Sequence, residues 1–407
     1  MYISRALEDA VLDASHQFPV ILLTGPRQVG KTTLLQQLCE TGRRYVTLDD
    51  LSLRSAANED PALFLQRYPS PVLIDEIQYA PNLLPYIKME VDGAKQAGAF
   101  WLTGSQHFQM MRGVTESLAG RVAVVNLLGF SRRELERRDC RLEPFLPTAA
   151  QIDGRRATAP ESTLKTIFEN IWAGSYPALR AGSVRNRDVF YSSYLQTYLQ
   201  RDVHDLAQVG DHQAFVRFLR ACAARTAQMT NLSALARDVD ISVNTAKAWL
   251  SILMTSFQVA LVYPYFSNLG KRLVKTPKLY FLDTGLCAYL TEWSSPETLA
   301  SGAMSGAVFE TYVFGEIIKS WWHRMRTPNL YYYRDKDGKE IDFLFEQDRT
   351  LYPLEVKLGA TPKKSWVKHF SVLSRLNASV GDGGVICLCR EPIPLTGTTT
   401  AIPIGLV

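Results

Sequence analysis

Two glycines, a lysine and a threonine near the start of the chain have the spacing of a phosphate-binding loop. Residues 25–32 read GPRQVGKT and fit the pattern G-x-x-x-x-G-K-[ST]. In such loops the glycines let backbone N–H groups face phosphate oxygens, and the following helix N-terminus favours negative charge. We expect Lys31 to reach the β- and γ-phosphates of a nucleotide and Thr32 to offer its hydroxyl to Mg²⁺. The alternative is a chance Gly-Lys-Thr turn. The expected nucleotide contacts are Gly25, Gln28, Val29, Gly30, Lys31, Thr32 and Thr33.

A second pattern, the apolar run 72–74 followed by two acids, supplies the groups that nucleotide hydrolysis needs. Asp75 is predicted to hold Mg²⁺, directly or through water. Glu76 is predicted to polarise the attacking water, because hydrolysis needs a base in line with the γ-phosphate. An Asp-Glu pair can also be an ordinary solvated strand end. Its occurrence together with the glycine-rich loop favours a nucleotide site that hydrolyses ATP with Mg²⁺.

Three further residues are candidates for the same site. A polar side chain after the fourth apolar run could reach between Asp75 and the γ-phosphate; Ser105 is the first candidate and Thr103 the second. A plain loop after a strand is the alternative. Arg121 precedes the last run and could stabilise transition-state charge in its own subunit or in a neighbour's. The alternative for Arg121 is a surface position.

The last third of the chain carries an independent set of acids and a lysine. Asp342 falls on the second strand of a predicted hairpin, and alternation places Glu355 and Lys357 on one face of the next strand. These residues resemble the D…E-x-K set of the PD-(D/E)XK nuclease superfamily. Asp342 and Glu355 would hold Mg²⁺, Lys357 would position or activate water, and Glu310 would support the metal from a helix. A solvated sheet edge is the alternative.

The elements that must position these groups follow from the apolar runs. Short runs alternate with helix-like segments of roughly 10–20 residues, which is typical of a parallel sheet with helices on both faces. Ligands bind at the carboxyl ends of strands in such sheets, and both nucleotide motifs follow such ends. The predicted strands are 20–24, 45–49, 72–75, 100–103 and 122–127.

The middle of the chain predicts helices. Residues 141–160 lack sustained periodicity and are predicted to be a linker or irregular excursion, whereas 161–266 have helical spacing. Within the latter, 231–254 predict a helix–turn–helix, with Ser242 capping the second helix and 259–265 as a wing strand. Asn244 and Lys247 are the polar side chains that could read DNA there, so protein packing or a spacer role remains open. The predicted units are 1–140, 141–160, 161–266 and 267–407.

Composition narrows the class of protein. The chain has 407 residues, too many for one ordinary core, and a net charge of +5 that permits nucleic-acid binding without requiring it. Its six cysteines form no C-x-x-C pair, which fits a reducing compartment. Because no apolar run approaches the ~20 residues that span a bilayer, and no signal-peptide core opens the chain, we expect a cytoplasmic protein without membrane contact.

The chain as a whole resembles a prokaryotic family of AAA-type ATPases that carry a C-terminal domain of unknown function. The resemblance spans almost the full length, and 141–160 falls outside it. It implies an α/β protein with a P-loop AAA core, a winged-helix middle and a restriction-endonuclease-like C-terminal domain. Ile341 departs from the nuclease pattern, since it stands where the superfamily has proline. The segments that carry the resemblance are 25–32, 72–78, 102–106, 118–122, 194–206, 275–286, 334–345 and 354–357. The matching site residues are Lys31, Thr32, Asp75, Glu76, Arg121, Asp342, Glu355 and Lys357.

Three functions are compatible with these patterns. The leading one is an ATPase whose nucleotide state controls a nuclease-like half that contacts DNA or RNA, with a homo-oligomer as a further candidate assembly. The second is a nucleotide-dependent regulatory switch whose C-terminal domains bind protein partners without nuclease chemistry. The third, a small-molecule kinase, is disfavoured by the length beyond the nucleotide-binding core and by the second set of carboxylates.

Overall fold

Three β-sheets, each with its own helices, make up the part of the chain that the structure describes. The structure is a computed structural model, and it describes residues 2–94, 96–104, 113, 114, 116–156, 162–198, 211–266, 276–376 and 378–407. Among the helices of these residues, none is both long and apolar enough to cross a bilayer.

The first sheet has five parallel strands in the order β2-β3-β4-β1-β5. Its strands are short apolar runs, and they confirm all five predicted strands to within two residues at each end. The elements are α1 (Glu8–Ser15), β1 (Val20–Thr24), α2 (Lys31–Leu38), β2 (Arg44–Thr47), α3 (Leu51–Glu59), α4 (Pro61–Arg67), β3 (Val72–Asp75), a 3₁₀ turn (Ile77–Tyr79), α5 (Leu83–Ala94), β4 (Phe100–Gly104) and β5 (Val122–Asn126).

Both faces of this sheet are covered, as the continuous apolar strands predict. One face packs Leu22 and Ile74 against α4 and α5. The other packs Ile21 and Leu73 into a core that continues into the helices of the middle region. The nucleotide motifs therefore stand on a sheet that is fixed from both sides.

Helices follow the first sheet, five of them within the described residues up to 198. The segment predicted as a linker or irregular excursion, 141–160, packs against the protein through several of its described residues. Phe145 is fully buried, its N–H donates to Ser320 Oγ at 3.1 Å, and the second of the five helices lies within the segment. The segment lacks periodicity because its backbone is irregular where it packs on the protein, and not because it is an unpacked linker. The helices are α6 (Arg132–Leu135), α7 (Ala149–Arg156), α8 (Leu164–Ala173), α9 (Pro177–Arg180) and α10 (Arg187–Tyr198).

The second sheet is small and antiparallel, in the order β6-β8-β7. The predicted helix–turn–helix is present, and Ser242 caps its second helix by accepting the N–H of Thr245 at 3.0 Å. The predicted boundary at 266/267 falls inside this sheet, because its last strand lies beyond it. The elements are α11 (His212–Ala223), β6 (Gln228–Met229), α12 (Leu232–Val239), α13 (Val243–Thr255), β7 (Val259–Val262) and β8 (Lys278–Phe281).

The third sheet has seven strands in the order β14-β15-β13-β11-β10-β9, with β12 paired to β11. The strands β9, β10 and β11 form an antiparallel meander, and β13 joins β11 in parallel. A long helix, α16, packs on this sheet in a common apolar core. The elements are α14 (Thr284–Leu290), α15 (Pro296–Ser301), α16 (Ser305–Trp322), β9 (Leu330–Arg334), β10 (Glu340–Gln347), β11 (Thr350–Val356), a 3₁₀ segment (Lys364–Arg375), β12 (Ser379–Val380), β13 (Gly383–Cys387), β14 (Ile393–Pro394), β15 (Thr399–Pro403) and a 3₁₀ turn (Ile404–Leu406).

Candidate functional site

The glycine-rich loop lies between β1 and α2, at the carboxyl edge of the first sheet. Gly25 has φ +148°, and a Cβ at this position would stand 2.0 Å from the carbonyl oxygen of Leu127. Gly30 has φ +89° and directly precedes α2. Both glycines are therefore required by backbone conformation, and at Gly25 also by close contact with the chain after β5.

The side chains of the loop point in different directions. Lys31 is buried, and its Nζ donates to the carbonyl oxygens of Gly25 at 3.0 Å and Pro26 at 2.9 Å. Val29 is buried, whereas Gln28 and Thr33 are exposed. The ammonium group of Lys31 thus lies inside the curve of the loop. A phosphate group bound there would replace these two carbonyl oxygens as its hydrogen-bond acceptor.

The two acids after β3 lie beside the loop. Asp75 Oδ1 accepts the hydroxyl of Thr32 at 2.7 Å and that of Thr103, while Asp75 Oδ2 accepts the hydroxyl of Tyr45 at 3.2 Å. Burial raises the pKa of Tyr45, and the neighbouring Asp75 carboxylate raises it further. Thr32 and Asp75 are hard oxygen donors in direct contact, so the residues present fit Mg²⁺, which would neutralise phosphate charge there.

Glu76 follows in a left-handed conformation, with φ +60°. Its N–H donates to Thr103 Oγ1 at 3.1 Å, and its carboxylate accepts from the side chain of Gln78. Thr103, the second candidate of the sequence analysis, therefore contacts both acidic residues. The first candidate, Ser105, lies outside the described residues.

Arg121 lies at the opposite edge of the first sheet. It directly precedes β5, where Val122 pairs with Val20, and the nucleotide loop follows the other end of that pairing. Four residue steps along a strand correspond to about 13 Å. The Arg121 guanidinium pairs instead with the carboxylate of Asp92, including a 3.0 Å bond to Oδ2. The expectation that Arg121 stabilises transition-state charge, in its own subunit or in a neighbour's, stays a prediction; within one chain Arg121 lies at the end of the strands opposite to the nucleotide motifs.

The acids of the C-terminal set come together between α16 and the meander. Asp342 lies where the β9–β10 register shifts, and such irregularities re-aim a side chain. Its Oδ2 accepts the N–H of Val356 at 2.9 Å and Lys357 Nζ at 3.2 Å. Lys357 also pairs with the carboxylate of Glu355. The predicted grouping of Asp342, Glu355 and Lys357 is thus present in the structure.

A lysine that the sequence analysis did not single out completes this cluster. Lys278 Nζ lies 2.6 Å from Glu340 Oε1, 3.4 Å from Glu310 Oε1 and 3.9 Å from Asp342 Oδ1. A lysine at the start of the otherwise apolar run 278–281 was the feature of the sequence that could have indicated it, because a buried lysine needs acidic partners.

Burial and mutual repulsion give the acids of the cluster different pKa values. Burial, reinforced by the Asp342 charge, raises the pKa of Glu310 to about 7 and that of Glu355 to about 8. Burial also opposes the ionisation of Asp342, but Lys357 and Lys278 outweigh it and lower its pKa. Asp342 is therefore the anion around which the cluster is organised.

The predicted metal site of Glu310, Asp342 and Glu355 stays a prediction. In the structure each of the three carboxylates has a lysine partner: Lys278 lies near Glu310 and Asp342, and Lys357 near Asp342 and Glu355. In the parts of the chain that the structure describes, no group of three or more histidine, cysteine, aspartate or glutamate residues is placed to hold a metal ion. A divalent cation at this cluster would have to compete with these lysines for the carboxylates.

Comparison with known proteins agrees with the geometry of the nucleotide loop. Residues 17–136 match an AAA domain. This match supports an AAA-type ATP-binding core, and ATP hydrolysis as its activity. Residues 164–297 and 305–407 match two domains of unknown function, DUF8612 and DUF4143.

Whole-chain relatives extend the similarity beyond the core. The chain is 28% identical over 396 residues to an uncharacterised protein of Mycobacterium tuberculosis, which covers 96% of this chain and 81% of that protein. Among solved structures, a Walker-type ATPase of Pyrococcus abyssi aligns with TM-score 0.42 and 18% identity, over 71% of this chain and 96% of the other. The RuvB Holliday junction branch migration motor of Thermotoga maritima aligns with TM-score 0.29 and 18% identity, over 63% and 85%.

A buried arginine connects the nucleotide loop to α6. Arg5 donates from NH1 to the carbonyl oxygen of Val29 in the nucleotide loop at 3.0 Å, and from Nε to Glu134 Oε1 at 2.9 Å. Burial by itself would raise the pKa of Glu134, but the positive charge of Arg5, with His323 and the Ser131 N–H, lowers it to about 2. Neither Arg5 nor Glu134 belongs to a motif, so sequence reasoning missed both.

The connection continues through α6 into α16. The N–H of Arg132 donates to Glu316 Oε2 at 2.9 Å, and Lys319 Nζ donates to the carbonyl oxygen of Phe130 at 3.0 Å. Arg133 donates from Nε to the carbonyl oxygen of Val407 at 3.0 Å. The short helix α6 is thus bonded on one side to the nucleotide loop, through Arg5, and on the other to the helix that carries Glu310.

Proposed function

We propose that the chain is an ATPase whose nucleotide state controls a nuclease-like C-terminal half that contacts nucleic acid. The observation that carries the proposal is the buried series of polar contacts from Val29 through Arg5 and Glu134 to α16. A change in the loop around Lys31 alters the surroundings of Val29, and Arg5 is bonded to that residue directly. Buried ion pairs tolerate such changes poorly, so a movement of one partner is passed to the next.

The nuclease-like part of the proposal is supported by how the third sheet presents its polar residues. A helix carries Glu310, a hairpin strand carries Asp342, and the adjacent strand carries Glu355, with Lys357 directly after it. These are the elements that the PD-(D/E)XK resemblance predicts. The proposal does not include cleavage, because the lysines occupy the metal ligands.

A basic surface beside this cluster supports nucleic-acid contact. The 3₁₀ segment Lys364–Arg375 and the residue before it expose Lys363, Lys364, Lys368 and Arg375, and no acid occurs between 363 and 375. The segment contacts β10, where His369 Nδ1 lies 3.1 Å from the carbonyl oxygen of Glu340. Clustered exposed cations are the electrostatic footprint of phosphate-backbone binding.

The winged-helix region supports the same proposal more weakly. Helices α12 and α13 with strands β7 and β8 give a helix–turn–helix followed by a hairpin-like pair of strands. Asn244 and Lys247 are exposed on α13, the helix that would enter a groove. Because Lys247 is the single lysine or arginine of α13, this helix alone supplies little phosphate attraction.

The test is nucleic-acid affinity as a function of bound nucleotide, measured on the full chain by fluorescence anisotropy with labelled DNA and RNA. We expect different affinities with ADP and with a non-hydrolysable ATP analogue. Lys364→Gln with Lys368→Gln should reduce the slope of log affinity against log salt by about 1 for each phosphate that is no longer neutralised. The matched control is Arg156→Gln with Lys165→Gln, which removes two exposed charges elsewhere and should leave the slope unchanged.

Two outcomes would redirect the proposal. Failure to bind any nucleic acid would favour the alternative, a nucleotide-dependent switch whose C-terminal domains bind protein partners. The lysines that pair with the nuclease-like carboxylates also favour this switch over a function that includes cleavage of nucleic acid. Binding that is equal with ADP and the ATP analogue would remove nucleotide control and leave two independent activities.

A further inference from the structure

The ammonium group of Lys278 belongs to the second sheet but lies within the acidic cluster of the third. Lys278 is the first residue of β8, and its side chain is 4% exposed. It faces carboxylates from α16 and β10, with Glu340 at 2.6 Å as the nearest. A lysine so deeply buried needs these charges, because an unpaired ammonium in this position would be strongly destabilising.

Other protein groups also contact the carboxylates of the cluster. Tyr280, two residues along β8, donates its hydroxyl to Glu310 Oε1 at 2.6 Å. On the far side of the cluster Lys357 pairs with both Asp342 and Glu355. Mg²⁺ would need several of these oxygens at about 2.0–2.1 Å in octahedral geometry. Two ammonium groups would repel it as well as compete for its ligands.

Lys278 is held by pairing of β8 with β6 and β7, and contacts near it join this sheet to the third sheet. The N–H of Tyr265 donates to the carbonyl oxygen of Tyr332 at 2.7 Å, and the N–H of Tyr332 donates to that of Tyr263 at 3.1 Å. The Tyr332 hydroxyl donates to the carbonyl oxygen of Thr276 at 2.5 Å, and its ring centroid lies 5.6 Å from Lys278 Nζ. The second and third sheets are thus joined beside the cluster, and Lys278 is part of the fold rather than a mobile surface side chain.

We propose that Lys278 is a built-in cation that takes the place of a divalent metal at Glu310, Asp342 and Glu355. The intact chain accordingly does not bind Mg²⁺ or Mn²⁺ at these carboxylates. Lys278 comes from the winged-helix region. That region therefore packs against the nuclease-like site and also supplies a positive charge to it. The inference goes beyond the proposed function, and it requires neither ATP hydrolysis nor nucleic-acid contact.

The test measures Mn²⁺ binding to the full chain by electron paramagnetic resonance, without nucleotide or nucleic acid. The wild-type protein and Asp342→Asn should bind Mn²⁺ equally. Lys278→Gln removes the internal charge, and it should melt at least about 5 °C lower without metal. It should bind Mn²⁺ at least about tenfold more tightly than wild type, because a nearby unit charge opposes the metal. Mn²⁺ should restore part of its melting temperature.

Three variants complete the design. Lys336→Gln removes an exposed lysine of the neighbouring hairpin and should behave as wild type. Lys278→Arg keeps a cation and should gain no Mn²⁺ binding. Adding Asp342→Asn to Lys278→Gln should abolish the gained binding, because the metal would lose its central ligand.

The proposal is overturned by either of two results. One is Mn²⁺ binding by the wild-type protein that Asp342→Asn removes. The other is a folded Lys278→Gln protein that binds Mn²⁺ no better than wild type. If Lys278→Gln does not fold, the comparison of wild type with Asp342→Asn decides alone. Because no nucleotide or nucleic acid is present, these results are separate from those that test the proposed function.

Discussion

Replacing Arg5 by methionine tests whether the buried contact between the nucleotide loop and α6 stabilises the chain. The Arg5 side chain is 3% exposed and that of Glu134 is fully buried. Arg5→Met leaves the Glu134 charge without its strongest partner and also removes the donor to Val29. Breaking a buried ion pair from one side typically costs about 3–5 kcal/mol. We therefore expect a decrease of that size in the free energy of unfolding, together with weaker ATP binding.

The assay is urea unfolding of the full chain, with midpoints and slopes compared between variants. Arg141→Met is the matched control, because Arg141 pairs with Asp9 at 3.0 Å on the surface, where the two side chains are 78% and 51% exposed. Such exposed pairs contribute about 0–1 kcal/mol. Combining Arg5→Met with Glu134→Gln should cost less than the sum of the single changes. A decrease for Arg5→Met no larger than that of the control, with additive double variants, would refute the reasoning.

Four further predictions address the nucleotide site and the α6 contacts. Lys31→Ala should abolish tight ATP binding by calorimetry, and unchanged affinity would defeat the assignment of the loop. Glu76→Gln should retain ATP binding but slow hydrolysis by about 10²-fold or more; turnover at the wild-type rate in a phosphate-release assay would exclude Glu76 as the base. Arg121→Ala should lower hydrolysis more than binding, and mixing it with Lys31→Ala should restore activity if Arg121 acts in a neighbouring subunit; no rescue, with a monomer by light scattering, would contradict that role. Burial lowers the pKa of His323 from 6.5 to about 4, against the opposing charge of Glu134. The unfolded chain therefore binds the proton first, and stability should fall by about 3 kcal/mol as pH falls from 6.5 to 4; His323→Asn should flatten that slope in urea unfolding.

The nucleotide site could be predicted from the sequence because its parts are local. Gly25, Gly30 and Lys31 lie on one short loop, and Asp75 follows a strand whose apolar run is unmistakable. The parallel-sheet rule then brings the two segments to one edge. The same rule, applied to the start of a strand, would have placed Arg121 at the opposite edge.

Long-range partners could not be predicted in the same way. Lys278 is separated by 32 residues from Glu310 and by 64 from Asp342, and no motif connects them. Arg5 meets Glu134 across 129 residues. In both pairs the residue types permit an ion pair, but only the packing of separate elements decides which charges meet. Thr103, the second candidate, contacts Asp75 from within β4, whereas the first candidate, Ser105, stays a prediction because it lies outside the described residues.

The two charged sites are connected through one helix, and this restricts how they can influence each other. Glu316 and Lys319, which contact α6 and the residue Phe130 before it, lie on the same helix as Glu310, about one and a half to two and a half turns further along. A shift of α6 that follows from Arg5 would move α16 as a rigid element, and Glu310 would move relative to Lys278 on β8. The separation between Glu310 Oε1 and Lys278 Nζ, 3.4 Å here, is therefore the distance that should change first with nucleotide state. A change confined to the basic segment Lys364–Arg375, with that distance constant, would require a different route between the sites.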